Sequence, residues 1–311
     1  MQPSPLILGT RGSALALWQA NHVRDRLVAS GYPVELEPIT TTGDRRLDVP
    51  LASIGEKGLF TRELDEALLD GSIHLAVHSL KDLPSVLTEG LALAAITERE
   101  HPFDAFVAGP GVTGELADAP HGAVLATSSL RRQAQLKAWR SDLQVVPIRG
   151  NVDTRLRKLD ASDWYGAILA EAGLVRLGQQ NRIRERVALD VMLPAVGQGS
   201  LGVVCASQNE ELRALLRSIF HHEPSGHAST AERAFLARLE GGCSVPVGAY
   251  AQAVGETLTL EGCVGSVDGA RLYRERISGS TAESADLGRT LAKRLLDAGA
   301  AEVLAELRGP R

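Results

Sequence analysis

The sequence predicts an α/β protein of two lobes followed by a small α+β domain, and three observations carry that prediction. Short apolar strand patterns alternate with helix patterns through two successive blocks that meet near residue 100. The stretch after about residue 217 mixes strands and helices without that alternation. Between them lies a late apolar run, Leu201-Gly-Val-Val-Cys205, placed to return to the first block. At 311 residues the chain is long for a single core. The expected domains are residues 1–99 with 200–217, residues 100–199, and residues 218–311.

In order, Leu6-Ile-Leu8 reads as a strand and Gly9-Thr-Arg11-Gly12-Ser13 as the turn into a helix over 14–28, with Val34–Ile39 as the next strand. Gly55–Phe60 leads into a helix with Phe60, Leu64, Ala67 and Leu68 on its inner face and Gly71 as its stop. Ile73–His78 alternates with the period of a strand, so Ser79, Lys81 and Asp82 fall just past its carboxyl end, where open α/β sheets bind ligands. In the second block Ala123–Ala126 is a strand, and Thr127-Ser-Ser129 caps a helix running to Trp139. Leu143–Ile148 and Tyr165–Ala170 are further strands, with a helix after Arg149-Gly-Asn151. The last stretch reads as a helix over 229–239, strands over 247–251, 258–264 and 271–277 with a hairpin at Asp268-Gly269, and a helix over 284–307. No internal repeat is visible.

Composition excludes several classes. With 44% hydrophobic and 23% charged residues the chain is an ordinary globular protein. A net charge of −5 gives no overall attraction to nucleic acid or anionic membrane, and 4% aromatic content is poor for base stacking. No apolar run reaches the ~20 residues of a membrane span, and Met-Gln-Pro-Ser-Pro is no signal peptide. The three cysteines, far apart, form neither a disulfide framework nor a metal site, and the histidines fit no zinc spacing, so no metal is expected. A cytoplasmic monomer is the expectation.

Charge is nevertheless concentrated. Between Thr127 and Lys158 stand eight Lys/Arg against two Asp. Arg131 and Arg132 occupy the first turn of their helix, where the macrodipole disfavours cations unless an anion docks there. Arg149, Arg155 and Arg176 also follow strand ends, and Arg11 and Ser13 occupy the matching edge of the first block. A charge run is ordinarily a solvated face, but repeated placement at strand ends indicates a polyanion site. Gly9-Thr-Arg-Gly-Ser13 is neither a P-loop nor GxGxxG, so a small polycarboxylate suits the guanidinium forks better than a nucleotide. Cys243 follows two glycines at a helix end, with its thiol within reach, whereas Cys205 and Cys263 lie in apolar patterns.

Taken together, these segments resemble the porphobilinogen deaminase (hydroxymethylbilane synthase) family. The matching stretches are Gly9–Ser13, Lys57–Phe60, His78–Asp82, Thr127–Arg132, Arg149–Arg155, Leu193–Gly199, Ala231–Leu236 and Leu239–Cys243. The resemblance implies two lobes of the type II periplasmic-binding-protein kind around a cleft, and a third domain presenting Cys243. It implies a dipyrromethane cofactor held on Cys243 by a thioether, and stepwise condensation of four porphobilinogen molecules with loss of ammonia. The growing polypyrrole chain is then released by water as linear hydroxymethylbilane. Asp82 matches the catalytic aspartate. Lys81, Ser79, Thr127, Ser129, Arg131, Arg132 and Arg155 match cofactor binders. Arg11, Ser13, Gln19, Arg149, Arg176 and Gln198 match residues that hold substrate or the growing chain, and Gly55–Phe60 matches a mobile loop. Some positions depart from the usual family pattern: His101-Pro-Phe103-Asp104 stands for Asp-Pro-Arg-Asp, Ala126 for Gly, Val204 for Glu and Ser244 for Gln. The rival readings are a two-lobed binding protein without chemistry, a nucleotide- or phosphate-using enzyme, and an inactive paralogue.

Overall fold

A computed structural model of the chain describes residues 4–41, 61–239 and 245–308. The chain divides into two compact units, Met1–Glu100 with Gly199–Gly226 and His101–Gln198 with His227–Arg311.

The first unit is built on a five-stranded sheet of order β2-β1-β3-β10-β4. Strand β1 (Leu6–Thr10) leads through the Ser13 N-cap into α1 (Ala14–Ala29), whose Ala20, Val23 and Leu27 are buried at helical spacing. Strand β2 (Val34–Pro38) pairs parallel with β1. Helix α2 (Arg62–Asp70) buries Leu64, Ala67 and Leu68 and ends at Gly71 in the left-handed conformation, as its pattern predicts. Strand β3 (Leu75–Ser79) starts two residues later than the alternation suggests, because the His74 ring accepts the Ile7 N–H at 2.8 Å. Strand β4 (Leu91–Ile96) forms the edge, and β10 (Leu201–Ala206) returns between β3 and β4, antiparallel to both, as its apolar run predicts. Helix α6 (Glu210–Phe220), which the sequence analysis does not assign, packs on β4 through the Leu212, Leu216 and Phe220 stripe.

The second unit contains a sheet of order β7-β6-β8-β5-β9, comprising β5 (Asp104–Ala108), β6 (Val124–Ala126), β7 (Gln144–Val146), β8 (Gly166–Ala170) and β9 (Glu185–Arg186). Helices α3 (Leu130–Trp139), α4 (Val152–Asp160) and α5 (Glu171–Arg176) follow β6, β7 and β8. Strand β7 stops before Pro147, which has no N–H to offer the ladder. The two five-stranded sheets share one plan: three parallel strands, then an antiparallel one, then an edge. The antiparallel strand comes from late sequence in one sheet and early sequence in the other.

The same unit, resuming at His227, holds most of α7 (Glu223–Arg238), which begins six residues before its expected start, and the antiparallel sheet β11 (Val247–Val254), β12 (Thr257–Gly265) and β13 (Leu272–Ser280). The expected last helix is interrupted: α8 (Ser284–Leu295) and α9 (Ala301–Arg308) are joined across a kink over Leu296–Ala300, with Gly299 at the non-helical φ of 117°. Phe235, Leu260, Leu291 and Val303 meet in this core. The expected α/β class with an α+β ending is borne out.

The β12–β13 hairpin rests on α3. Gly269, at φ 75°, is so close that an added Cβ would lie 2.4 Å from the Ala138 backbone nitrogen. Gly269→Val therefore combines backbone strain with a clash, and should cost about 2–4 kcal/mol; an unchanged melting temperature would refute this packing. On β3, burial and the Arg11 guanidinium push the His78 imidazole down to about 4 from its ordinary 6.5. The unfolded chain then binds a proton that the folded chain refuses. The neutral-ring contribution is full above pH 6.5 and is lost as pH falls towards 4, the loss amounting to roughly 2 kcal/mol at pH 5. Urea denaturation at pH 7 and pH 5 should show a smaller acid loss for His78→Gln than for the parent, and equal losses would remove His78 as a source.

Candidate active site

In the first unit, the parallel strands β1 and β3 bring their carboxyl ends to one sheet edge. Arg11 and Ser13 follow β1, and the Ser13 hydroxyl accepts the Ala16 N–H at 3.3 Å to start α1. Gln19, buried on α1, donates its amide to the Ser79 hydroxyl at 2.7 Å. Beyond Ser79 the chain makes a single 3₁₀ turn, Leu80–Asp82. Leu80 and Leu83 are buried on either side of it, and the Leu80 N–H donates to the Ser200 carbonyl at 3.0 Å. Two apolar anchors thus hold Lys81 half-buried and Asp82 exposed on a fixed turn. His78 lies just before it, buried, its Nε2 without a hydrogen-bond partner.

In the second unit, β7, β6 and β8 are parallel and their carboxyl ends carry the basic residues. Thr127 is buried at the end of β6, and its hydroxyl accepts the Ser129 N–H at 3.2 Å. Ser129 caps α3 by accepting the Arg132 N–H. Arg149 follows β7, Arg155 sits in the first turn of α4 with its Nε on the Gly150 carbonyl at 2.8 Å, and Arg176 ends α5 in a buried position.

Arg131 and Arg132 are both buried, and the structure supplies an anion for them that the sequence analysis misses. Asp104, the first residue of β5, accepts Arg131 Nη1 at 2.6 Å on one oxygen and Arg132 Nη2 at 2.8 Å on the other. Burial alone would push the Asp104 carboxyl up, but the two guanidiniums outweigh it and hold the group well below the usual carboxylate range. Burial likewise pulls Arg132 down, against the opposing effect of Asp104. Two cations share one carboxylate, so the trio keeps one positive charge. The signal that could have found Asp104 was the pair of cations at a helix start, which demanded a counter-ion.

Gln198 is buried, and its amide nitrogen is committed to the carbonyls of Pro102 and Phe103 and to Asp104. The departures are also accommodated. Phe103 has the Arg186 guanidinium 4.5 Å over its ring, and Glu171 holds Arg186 at 2.7 Å, so another strand restores a cation there. Val204 is buried in an apolar cluster. Cys243, Ser244 and Gly55–Phe60 lie outside the described residues.

The donor set fits an acetate- and propionate-bearing pyrrole cofactor: guanidinium forks with a residual positive charge at strand ends. Residues 6–214 match the model of the porphobilinogen deaminase dipyromethane cofactor binding domain, and residues 227–297 that of the porphobilinogen deaminase C-terminal domain. The chain is 50% identical over 309 residues to the porphobilinogen deaminase of Geobacter metallireducens, covering 99% of this chain and 96% of that one. It is 51% identical over 305 residues to that of Desulforudis audaxviator, covering 97% and 98%. Among solved structures, a periplasmic substrate-binding protein of a Coxiella burnetii ABC transporter covers 71% of this chain and 93% of its own, at 14% identity and a TM-score of 0.42. With both domain models matched and half of all positions shared with curated deaminases along nearly the whole length, this chain belongs to the porphobilinogen deaminase family.

Proposed function

We propose that the residues gathered at the two sheet edges carry out hydroxymethylbilane synthesis, the activity of the family. The protein is a transferase of tetrapyrrole biosynthesis that joins four porphobilinogen molecules head to tail, releases ammonia at each step, and frees linear hydroxymethylbilane by hydrolysis. Bound through a thioether to Cys243, the dipyrromethane supplies the nucleophilic pyrrole carbon to which the units are added, and it stays with the protein.

The observation that carries the site assignment is the buried arrangement of Arg131 and Arg132 around Asp104, which keeps one positive charge for a carboxylate. Arg131, Arg132 and Arg155, with Lys81, Ser79, Thr127 and Ser129, hold cofactor carboxylates. Arg11, Ser13, Arg149 and Arg176 hold the carboxylates of substrate and growing chain. Gln19 and Gln198 act behind them by holding Ser79 and Asp104. As ammonia leaves porphobilinogen, positive character spreads to the pyrrole nitrogen. A carboxylate fixed in place stabilises that charge without reorganising, and this is the role of Asp82. Asp82 also takes the proton lost when the ring regains aromaticity. The reading includes three domains, residues 1–99 with 200–217, 100–199 and 218–311, in a cytoplasmic monomer that needs neither nucleic acid nor membrane. Among the described residues no helix is long and apolar enough to cross a membrane.

Asp82→Asn should keep the fold, read by circular dichroism, while turnover falls roughly 10²-fold or more; turnover within a few-fold of the parent would remove Asp82 from this role. The intact mass of the denatured protein should exceed the polypeptide by two deaminated pyrrole units, and Cys243→Ser should lack the excess. Bare mass in both, persisting after incubation with porphobilinogen, would instead favour a binding protein.

A further inference from the structure

The Asp104 carboxylate has every feature of a group that sets the geometry of others. Its side chain is fully buried, while those of Arg131 and Arg132 are 5% and 7% exposed. Its backbone is fixed by pairing of β5 with β8, Asp104 opposite Ala170, and by the Val187 N–H on its carbonyl at 2.9 Å. Its Oδ1 accepts Arg132 Nε and Nη2 and Gln198 Nε2, and its Oδ2 accepts Arg131 Nη1, so four donors converge on one carboxylate. The remaining Nη1 bonds point the guanidiniums further: Arg131 to the Leu193 carbonyl at 2.7 Å, Arg132 to the Ile168 carbonyl at 2.8 Å.

The donor count shows what is left over. A guanidinium has five N–H donors. Arg131 commits only Nη1, leaving Nε and Nη2 for an incoming group. Arg132 commits Nε to Asp104 and both terminal nitrogens to Asp104 or Ile168, so it mainly braces the trio.

We propose that Asp104, steadied by Gln198, is the positioning residue of the cofactor-carboxylate site, aiming the free edge of Arg131 at an incoming carboxylate while leaving one positive charge to receive it. The inference rests on the reading that Arg131 binds a cofactor carboxylate. Asp104 touches neither substrate nor cofactor in this scheme. It acts through the two guanidiniums. An Asn at this position would keep the shape, lose the charge, and turn a donor towards one guanidinium, so the forks could no longer both be held.

The test uses the full-length chain made in a host unable to synthesise porphobilinogen, then titrated with porphobilinogen and read by intact mass. The variants are Asp104→Asn, Gln198→Met and Arg131→Leu, each with its fold checked by circular dichroism and thermal melting. A folded Asp104→Asn should load the primer at least tenfold less than the parent, and Arg131→Leu should do the same. Gln198→Met should reach full loading but need several-fold more porphobilinogen for half-saturation, a shift that a purely structural weakening would not produce at an unchanged final level. Folded Asp104→Asn that loads like the parent, beside an Arg131→Leu that does not, overturns the positioning role and leaves the arginine reading standing. If Asp104→Asn does not fold, Gln198→Met decides, and a parental half-saturation overturns the proposal. Full loading of Arg131→Leu at parental concentrations overturns both.

Discussion

A single carboxylate holding two guanidiniums in a dry interior is expensive to assemble, since each ion gives up several kcal/mol of hydration. Once assembled it is more expensive to break, about 3–5 kcal/mol for removing one partner, because the others are left buried and uncompensated. The trio of Asp104, Arg131 and Arg132 therefore acts as a fixed point of the second unit. It ties the start of β5 to the first turn of α3, and through the Leu193 and Ile168 carbonyls it reaches the 193–198 segment and β8. The helix macrodipole alone would disfavour the two cations at the start of α3. Asp104 makes their placement tolerable while leaving one of their two positive charges uncancelled.

The segment from Leu193 to Gln198 extends the same logic. It is largely buried yet has no regular secondary structure, so its backbone groups need partners from side chains. Gln135 receives the Leu193 N–H at 2.8 Å and donates to its carbonyl at 3.0 Å. The buried carboxylate of Glu232, on α7, accepts the Gly197 N–H and the Ala251 N–H, each at 2.7 Å. Gln198 in turn holds the carbonyls before Asp104. A chain of polar side chains thus links the C-terminal sheet, an irregular buried segment and the arginine pair. The β12–β13 hairpin, pressed on α3 at Gly269, adds a steric contact to the same helix.

The positions at which this chain departs from the family pattern show how a substitution is absorbed by its surroundings. Phe103 removes a cation near the start of β5, but the ring lies under Arg186 and beside Tyr250, so the region keeps a guanidinium and gains an apolar contact. His101, whose ring faces Glu171 at 3.2 Å, adopts φ 47°, the one positive φ outside glycine among the described residues. Val204 takes a place inside an apolar cluster of the first sheet, where a carboxylate would need a partner.

The alternation of strands and helices, the turn into α1 at Gly9–Ser13, the cap at Ser129, the return of Leu201–Cys205 to the first sheet and the motifs that identify the family are all legible in the sequence. These are local signals, carried by spacing within a few residues. It also located the arginines at strand ends and Asp82 beyond β3, because position along a strand fixes which edge a residue meets. That both sheets follow one strand order emerges only on folding, since the fourth strand of each is drawn from a part of the chain remote from its neighbour. Only the fold paired Arg131 and Arg132 with Asp104, 27 and 28 residues away, and turned Gln198 inward on residues more than 90 positions distant. Pairing across such separations depends on how the strands pack, and no periodicity in the chain records it.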